Sequence, residues 1–381
     1  MIGFILKLML TRGVTMKRWN NFPRIEDVSH MDNVGYVIHI ALFLAYLEEK
    51  NGKKVDREFI IKRIIFNSFS YLLISDINSG TREYIKQIDE GIFSQIEKLG
   101  YEFILSMDAP ESIKNDIRET IYNDSDKTLE LLIISVSKKY AGLNECLVNH
   151  KIYSDIYEVP LDQINSFLYT KRSELKSLDL LLSNDNYKKY LSHIRRLNHS
   201  MRWSGQTRIF PISVMSHLVI ITFISYIFGK IENDNGSTLD LEELMLKSIY
   251  HDIPEAITGD IITPTKKSVV GFEEVLEQVE IKMMDDYIFS YVDNDYKVKV
   301  SPYMLKPFEG ELGKIAKYAD TFSALLEAKV ERNYGGKNYG EIYTNIKKRV
   351  NKIELKSMDY MLKNVIDSFD EKIDDVHLKT K

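Results

Sequence analysis

His251 and Asp252 are adjacent, Glu255 follows three residues later and Asp260 five after that, so one imidazole and three carboxylates fall within ten residues. Imidazole nitrogen and carboxylate oxygen are ligands for divalent transition metals, and a carboxylate beside such an ion can move protons. A second histidine, His217, and a further acid, Asp320, lie in other apolar-periodic segments. His217, His251, Asp252 and Asp320 together suit one divalent ion of the Mn, Fe, Co, Ni or Zn type and leave open positions for a water nucleophile. Glu255, at i+4 from His251, suits a general acid or base beside that water.

The elements that must position these groups read as helices. Leu241, Leu244, Met245, Ser248 and Ile249 form a stripe of helical period that leads into His251, and Ile315, Tyr318, Ala319, Phe322, Leu325 and Leu326 form another around Asp320. Pro254 limits regular helix just past the His-Asp pair, and Gly259 opens a turn that presents Asp260. Alternating strand patterns are scarce, so the fold class is all-α.

At 381 residues the chain is long enough for two domains, and 44% apolar content supports a sizeable core. A net charge of −5 argues against a general nucleic-acid binder. The single cysteine, Cys146, excludes an internal disulfide framework and fits a cytoplasmic setting. The apolar run in residues 1–15 is shorter than the ~20 residues a bilayer requires. It reads as an N-terminal extension or a start-site artefact ahead of Met16, and the apolar segment His217 to Phe228 reads as a buried core helix rather than a membrane span.

The sequence repeats itself. Arg18-Trp19 recurs as Arg202-Trp203, Arg24-Ile25 as Arg208-Ile209 and Asn51-Gly52 as Asn235-Gly236, all displaced by 184 positions. The same displacement lays Asp76 on Asp260 and replaces each candidate ligand: Asn33 stands for His217, Asn67 for His251, Ser68 for Asp252 and Tyr71 for Glu255. A slightly smaller displacement lays Gly142 on Asp320. The chain is therefore an internal duplication whose first copy lacks the ligands, and a metal would be bound once, in the second copy.

His217, His251-Asp252 and Asp320 resemble the H…HD…D signature of the HD-domain metal-dependent phosphohydrolases. Arg202-Trp203 ahead of His217, and the run His-Asp-x-x-Glu-x-x-x-Gly-Asp-Ile-x-Thr-Pro-x-Lys from 251 to 266, resemble the bacterial 5′-deoxyribonucleotidase branch. The resemblance covers about residues 200 to 335, with an echo over 16 to 145. It implies tandem HD-domain-like helical bundles, a degenerate one over 16–150 and a catalytic one over 200–381, joined by a helical connector over 151–199. It also implies that His217, His251, Asp252 and Asp320 bind the metal, and that Glu255 and Asp260 are the catalytic candidates. Arg202, Trp203, Asp260 and Lys266 would contact substrate, Arg202 at the phosphate and Trp203 and Asp260 beside the sugar. Ser216 and Leu218 depart from the family pattern around His217, where a glutamate commonly precedes and a small polar residue follows.

Simpler readings stand beside these. His39, His150 and His193 are structural or exposed histidines. Arg202-Trp203 is alternatively a packing pair, since Arg18-Trp19 persists without ligands, and Asp260 alternatively stabilises its turn. The function favoured is release of phosphate from a nucleotide, foremost a 5′-(deoxy)nucleoside monophosphate. The alternatives are hydrolysis of a deoxynucleoside triphosphate, a cyclic nucleotide or an alarmone, and non-catalytic nucleotide binding. Nucleotide is the expected partner, with no nucleic acid and no membrane, and the chain is either a monomer of pseudo-dimeric halves or a homodimer.

Overall fold

A computed structural model describes residues 1–74, 77, 79–261, 265 and 269–370. Asp76, the Thr263-Pro264 pair and Lys266, all named above, lie outside the described residues. Among the described residues the chain is all-α, and extended pairing is confined to two isolated bridges, Lys17 with Ser29 and Met201 with Ser213. The first half runs through α1 (Ile2–Leu8), a π-helical turn (Met9–Gly13), α2 (His30–Lys50), α3 (Arg57–Ile74), α4 (Ser79–Ile88), α5 (Glu90–Ser106), α6 (Glu111–Tyr122), α7 (Thr128–His150), α8 (Ser154–Lys171) and α9 (Lys176–Ser183). The second half follows as α10 (Asp185–Arg195), α11 (Val214–Asp234), α12 (Leu241–Tyr250), α13 (Glu255–Thr258), α14 (Phe272–Tyr287), α15 (Asn294–Leu305), α16 (Gly310–Asn333), α17 (Tyr339–Val350) and α18 (Lys356–Asn364).

The two halves share local devices that hydrophobic periodicity alone does not reveal. Arg18 N donates to Val28 O and Arg202 N to Ile212 O, both at 2.9 Å. Both bridges are followed by a tryptophan at positive φ, Trp19 at 54° and Trp203 at 60°, a conformation that non-glycine residues seldom adopt. Ser29 and Ser213 cap α2 and α11, each accepting from the backbone three residues on. Glu48 Oε1 accepts from Ser177 N at the start of α9, and Glu232 Oε1 from Ser357 N at the start of α18. By these contacts α9 stands to α2 as α18 stands to α11.

The apolar run within residues 1–15 is packed into the protein. Ile5, Leu6, Leu8, Met9 and Leu10 are all buried, and α1 packs against the 3₁₀ turn Asp367–Phe369. The displacement of 184 lays this segment on α10 and the turn after it. Its apolar run is the buried counterpart of a helix whose own copy is half exposed.

α2 and α11 cross at the centre of the molecule. α11 is the one helix among the described residues long and apolar enough to cross a membrane, and 94% of that stretch is buried inside the protein, as expected for a core helix. The crossing is close: a Cβ on Gly35 would lie 2.7 Å from Met215 Sδ. Asp32 of α2 accepts from Ser216 Oγ at 2.6 Å and from Ser213 Oγ, so a buried carboxylate of the first half bonds the residue just before His217. Ser216, where the family pattern is broken, thus belongs to the junction between halves. Ion pairs also join the halves at its rim, Arg57 to Glu242 and Lys50 to Asp293, each at 2.6 Å.

The register of α7 against α16 differs from the sequence expectation. Arg18 Nε pairs with Glu145, and Arg202 Nε with Glu327. Ile25 N donates to Asn149 Oδ1, and Ile209 N to Glu331 Oε2. Both pairs of contacts are displaced by 182 positions on these helices, one helical turn away from the displacement that laid Gly142 on Asp320. Lys138, not Gly142, therefore stands at the level of Asp320; a Cβ on Gly142 would meet Ile164 of α8 instead.

Candidate metal centre and active site

Three helices deliver the candidate ligands. His217 lies in the first turn of α11, fully buried; His251 closes α12, with Asp252 next to it; Asp320 projects from the middle of α16. Pro254 begins a new short helix whose first residue is Glu255, so the chain turns away as soon as the His-Asp pair is placed. Ligand atoms of His217, His251 and Asp252 lie within 4.8 Å of one another. Asp320 adjoins this group through His217, with Nε2 to Oδ1 at 3.3 Å. His251 Nε2 lies 3.1 Å from Asp252 Oδ2, and His217 Nε2 lies 4.0 Å from the same oxygen.

The other nitrogen of each imidazole is committed. His251 Nδ1 donates to Ser248 O at 2.8 Å, an acceptor only. His217 Nδ1 donates to Glu327 Oε1 at 3.0 Å. With Nδ1 carrying the proton, both Nε2 lone pairs point inward, and neither buried Nε2 makes a hydrogen bond of acceptable geometry. Lone pairs facing carboxylate oxygens repel unless a cation or proton lies between them, so this donor set fits a divalent ion. Burial opposes ionisation of Asp252 and Asp320, but His251 and His217 outweigh it for Asp252, and His217 and Lys317 for Asp320; both carboxyls are held below the usual range. Burial likewise opposes protonation of His251, and Asp252 outweighs it and raises its pKa.

Glu327 was not among the sequence candidates. It is 1% exposed and contacts His217, Arg208 Nη1 at 2.9 Å and Arg202 Nε at 3.5 Å. Burial opposes its charge, yet Arg202 and Arg208 hold its carboxyl well below the ordinary value. Glu331, one turn on and fully buried, accepts from Ile209 N and Phe210 N and pairs with Arg208. The signal that could have found both is the preserved Arg208 beside two acids on one face of α16, at i and i+4.

Arg202 faces the cluster. Its Nη1 lies 3.7 Å from Asp252 Oδ2, and although burial opposes its charge, Glu327, Asp320, Asp252 and Glu255 keep it firmly protonated. Trp203 leans on Tyr339 with ring centroids 5.9 Å apart. Asp260 Oδ2 accepts from Trp203 N at 3.2 Å, so this acid holds the strained tryptophan turn. His217, His251, Asp252, Asp320 and Arg202 are thus brought together, the Glu255 charge acts on Arg202, and Asp260, from the turn after α13, bonds the Trp203 backbone beside them. His39 is buried in the core against Tyr250, and burial drives its pKa down to about 3.

A family model for the YfbR-like 5′-deoxynucleotidases matches residues 6–178 and 189–369. The curated relatives include a 5′-deoxynucleotidase of Vibrio parahaemolyticus, 23% identical over 189 residues that make up 49% of this chain and 97% of the relative. Another, from Yersinia pestis, is 23% identical over 194 residues, 50% of this chain and 96% of that protein. Among solved structures, an HD-domain phosphohydrolase from Listeria innocua is similar at 25% identity over 48% of this chain and 88% of its own, with a TM-score of 0.44.

Proposed function

The chain belongs to the YfbR-like 5′-deoxynucleotidase family, and from that premise we propose that its second half is a metal-dependent hydrolase releasing phosphate from 5′-deoxynucleoside monophosphates. The observation that carries this reading is the pair of buried imidazoles with Nδ1 committed and Nε2 turned toward Asp252 and Asp320. His217, His251, Asp252 and Asp320 would hold one divalent transition ion, of the Mn, Co, Fe, Ni or Zn group. The chemistry such an ion would supply there is a lowered pKa for a water nucleophile and positive charge opposite the phosphoryl oxygens.

The remaining roles fall to this chain's own groups. Arg202, kept charged by its neighbours, binds the phosphate and stabilises the negative charge that grows as the ester breaks. Glu255 moves a proton, delivering it to the leaving 5′-oxygen. Trp203 borders the sugar, and Asp260 fixes its backbone and so acts as a positioning residue. Lys266 is assigned a further phosphate contact from the sequence pattern alone. Glu327 keeps His217 in the tautomer that offers Nε2 inward.

Elemental analysis of the purified protein, paired with phosphate release from ribo- and deoxyribonucleoside mono- and triphosphates with added manganese or cobalt, tests the reading. About one ion per chain and turnover of deoxynucleoside monophosphates are expected. Glu255→Ala should keep metal and nucleotide binding and lose turnover. Absence of metal under every condition, or turnover of triphosphates alone, overturns the assignment.

A further inference from the structure

The first half has not simply lost the ligands; the charge of the corresponding position is inverted. Asn33, Asn67, Ser68 and Tyr71 replace His217, His251, Asp252 and Glu255, and by the contact register of α7 the ammonium of Lys138 stands where Asp320 stands in the second half. Arg18 keeps the place of Arg202. Two more basic side chains complete the group: His30, which aligns with the apolar Val214, and Arg82 of α4, which the displacement of 184 lays on Lys266.

These groups face one another. The His30 ring stacks on Tyr71 with centroids 5.4 Å apart and planes at 24°. The Arg82 guanidinium lies 4.6 Å over the same tyrosine and 4.4 Å over Phe93. Buried polar atoms remain without a hydrogen-bond partner at His30 Nε2, Asn33 Oδ1 and Arg82 Nε. The cations also act on each other. Burial and then Arg18 and Lys138 drive His30 down to about 3. Lys138 is exposed to solvent, so its ammonium remains open to a ligand. Among the described residues the nearby acids are Glu97 and Glu145, and Glu145 is taken up by Arg18 Nε at 3.0 Å and Trp19 Nε1 at 2.8 Å.

Two arginines and a lysine converging on neutral amides and an aromatic stack make an anion site, whereas the same location in the second half makes a cation site. We propose that the first half binds a phosphate group without a metal, between Arg18, Arg82 and Lys138. The ligand is either the free phosphate ion or the phosphate of a nucleotide. The site stands independently of whether the second half hydrolyses its substrate.

The test is calorimetric titration of the chelator-treated full chain with inorganic phosphate and, separately, with a deoxynucleoside 5′-monophosphate. Binding by at least one of them is expected to survive the chelator and to weaken tenfold or more in Arg82→Gln and in Lys138→Gln. It should be retained in Lys138→Arg. If Arg82→Gln does not fold, the exposed Lys138 pair of variants still decides, with circular dichroism as the folding control. A preference for the nucleotide over free phosphate identifies the fuller ligand. No binding of either in chelator, or binding undiminished in Lys138→Gln, overturns the proposal.

Discussion

Glu327→Gln isolates the contribution of a buried carboxylate that touches no substrate. Glutamine keeps the volume and can still accept from His217 Nδ1, but it removes the charge that pairs with Arg208 at 2.9 Å and Arg202 at 3.5 Å. The Arg208 side chain is 4% exposed and would keep only Glu331, at 3.4 Å. Breaking a buried ion pair by removing one partner costs about 3 to 5 kcal/mol, and because Arg208 retains Glu331 the lower end is expected, about 3 kcal/mol. The second effect acts on the metal. A neutral amide orients His217 less firmly, and loss of such a partner weakens metal binding roughly 10- to 100-fold, about 1.4 to 2.7 kcal/mol. Chemical denaturation of the metal-free protein reads the first quantity, and competition titration against a metal indicator reads the second. If stability falls by about 3 kcal/mol while metal affinity stays within about twofold of the parent, Glu327 is only a structural counter-ion to Arg208 and the tautomer argument is refuted.

Two further outcomes follow from contacts elsewhere. Asp260→Ala removes the acceptor for Trp203 N at φ 60°, so the turn should relax and KM should rise about tenfold with kcat and metal content little changed; a fall in kcat at unchanged KM would instead put Asp260 in contact with the reacting atoms. His39 is 1% exposed with neither ring nitrogen bonded, and its folded pKa of about 3 lies below the ordinary 6.5. Its contribution is complete above pH 6.5 and is lost as pH falls toward 3, about 2 kcal/mol by pH 5. His39→Phe, which copies Phe223 at the matching position, should lose about 2 kcal/mol less between pH 7 and pH 5, measured by denaturation at each pH; an equal loss in both proteins would refute the buried neutral histidine.

The sequence by itself determined the all-α class, the duplication and the candidate ligand residues, because each is written in local terms. Helical stripes need only the spacing of apolar residues, and His251, Asp252, Glu255 and Asp260 share one short run. The duplication could be read wherever its displacement stayed constant at 184, from Arg18 through Asp76. It stopped being legible past that point, where α7 and α16 are displaced by 182 and α9 and α18 by 180. A slip of one helical turn keeps the apolar stripe in phase, which is why Gly142 could stand in for Lys138. The burial of the apolar segment at residues 2–10 is not legible in the repeat, because its more polar counterpart in α10 is half exposed.

Tertiary structure alone decided the partners. An acid on an amphipathic helix carries no mark of function in sequence, and Glu327 acquires one only because α16 brings it to His217, 110 positions away. Ser216 looked like a defect in the family pattern until Asp32, from the other half, was found bonded to it. Periodicity determines which face of a helix is buried; the identity of what it is buried against depends on the packing of distant segments, and it is there that the charges of the two sites acquire their opposite signs.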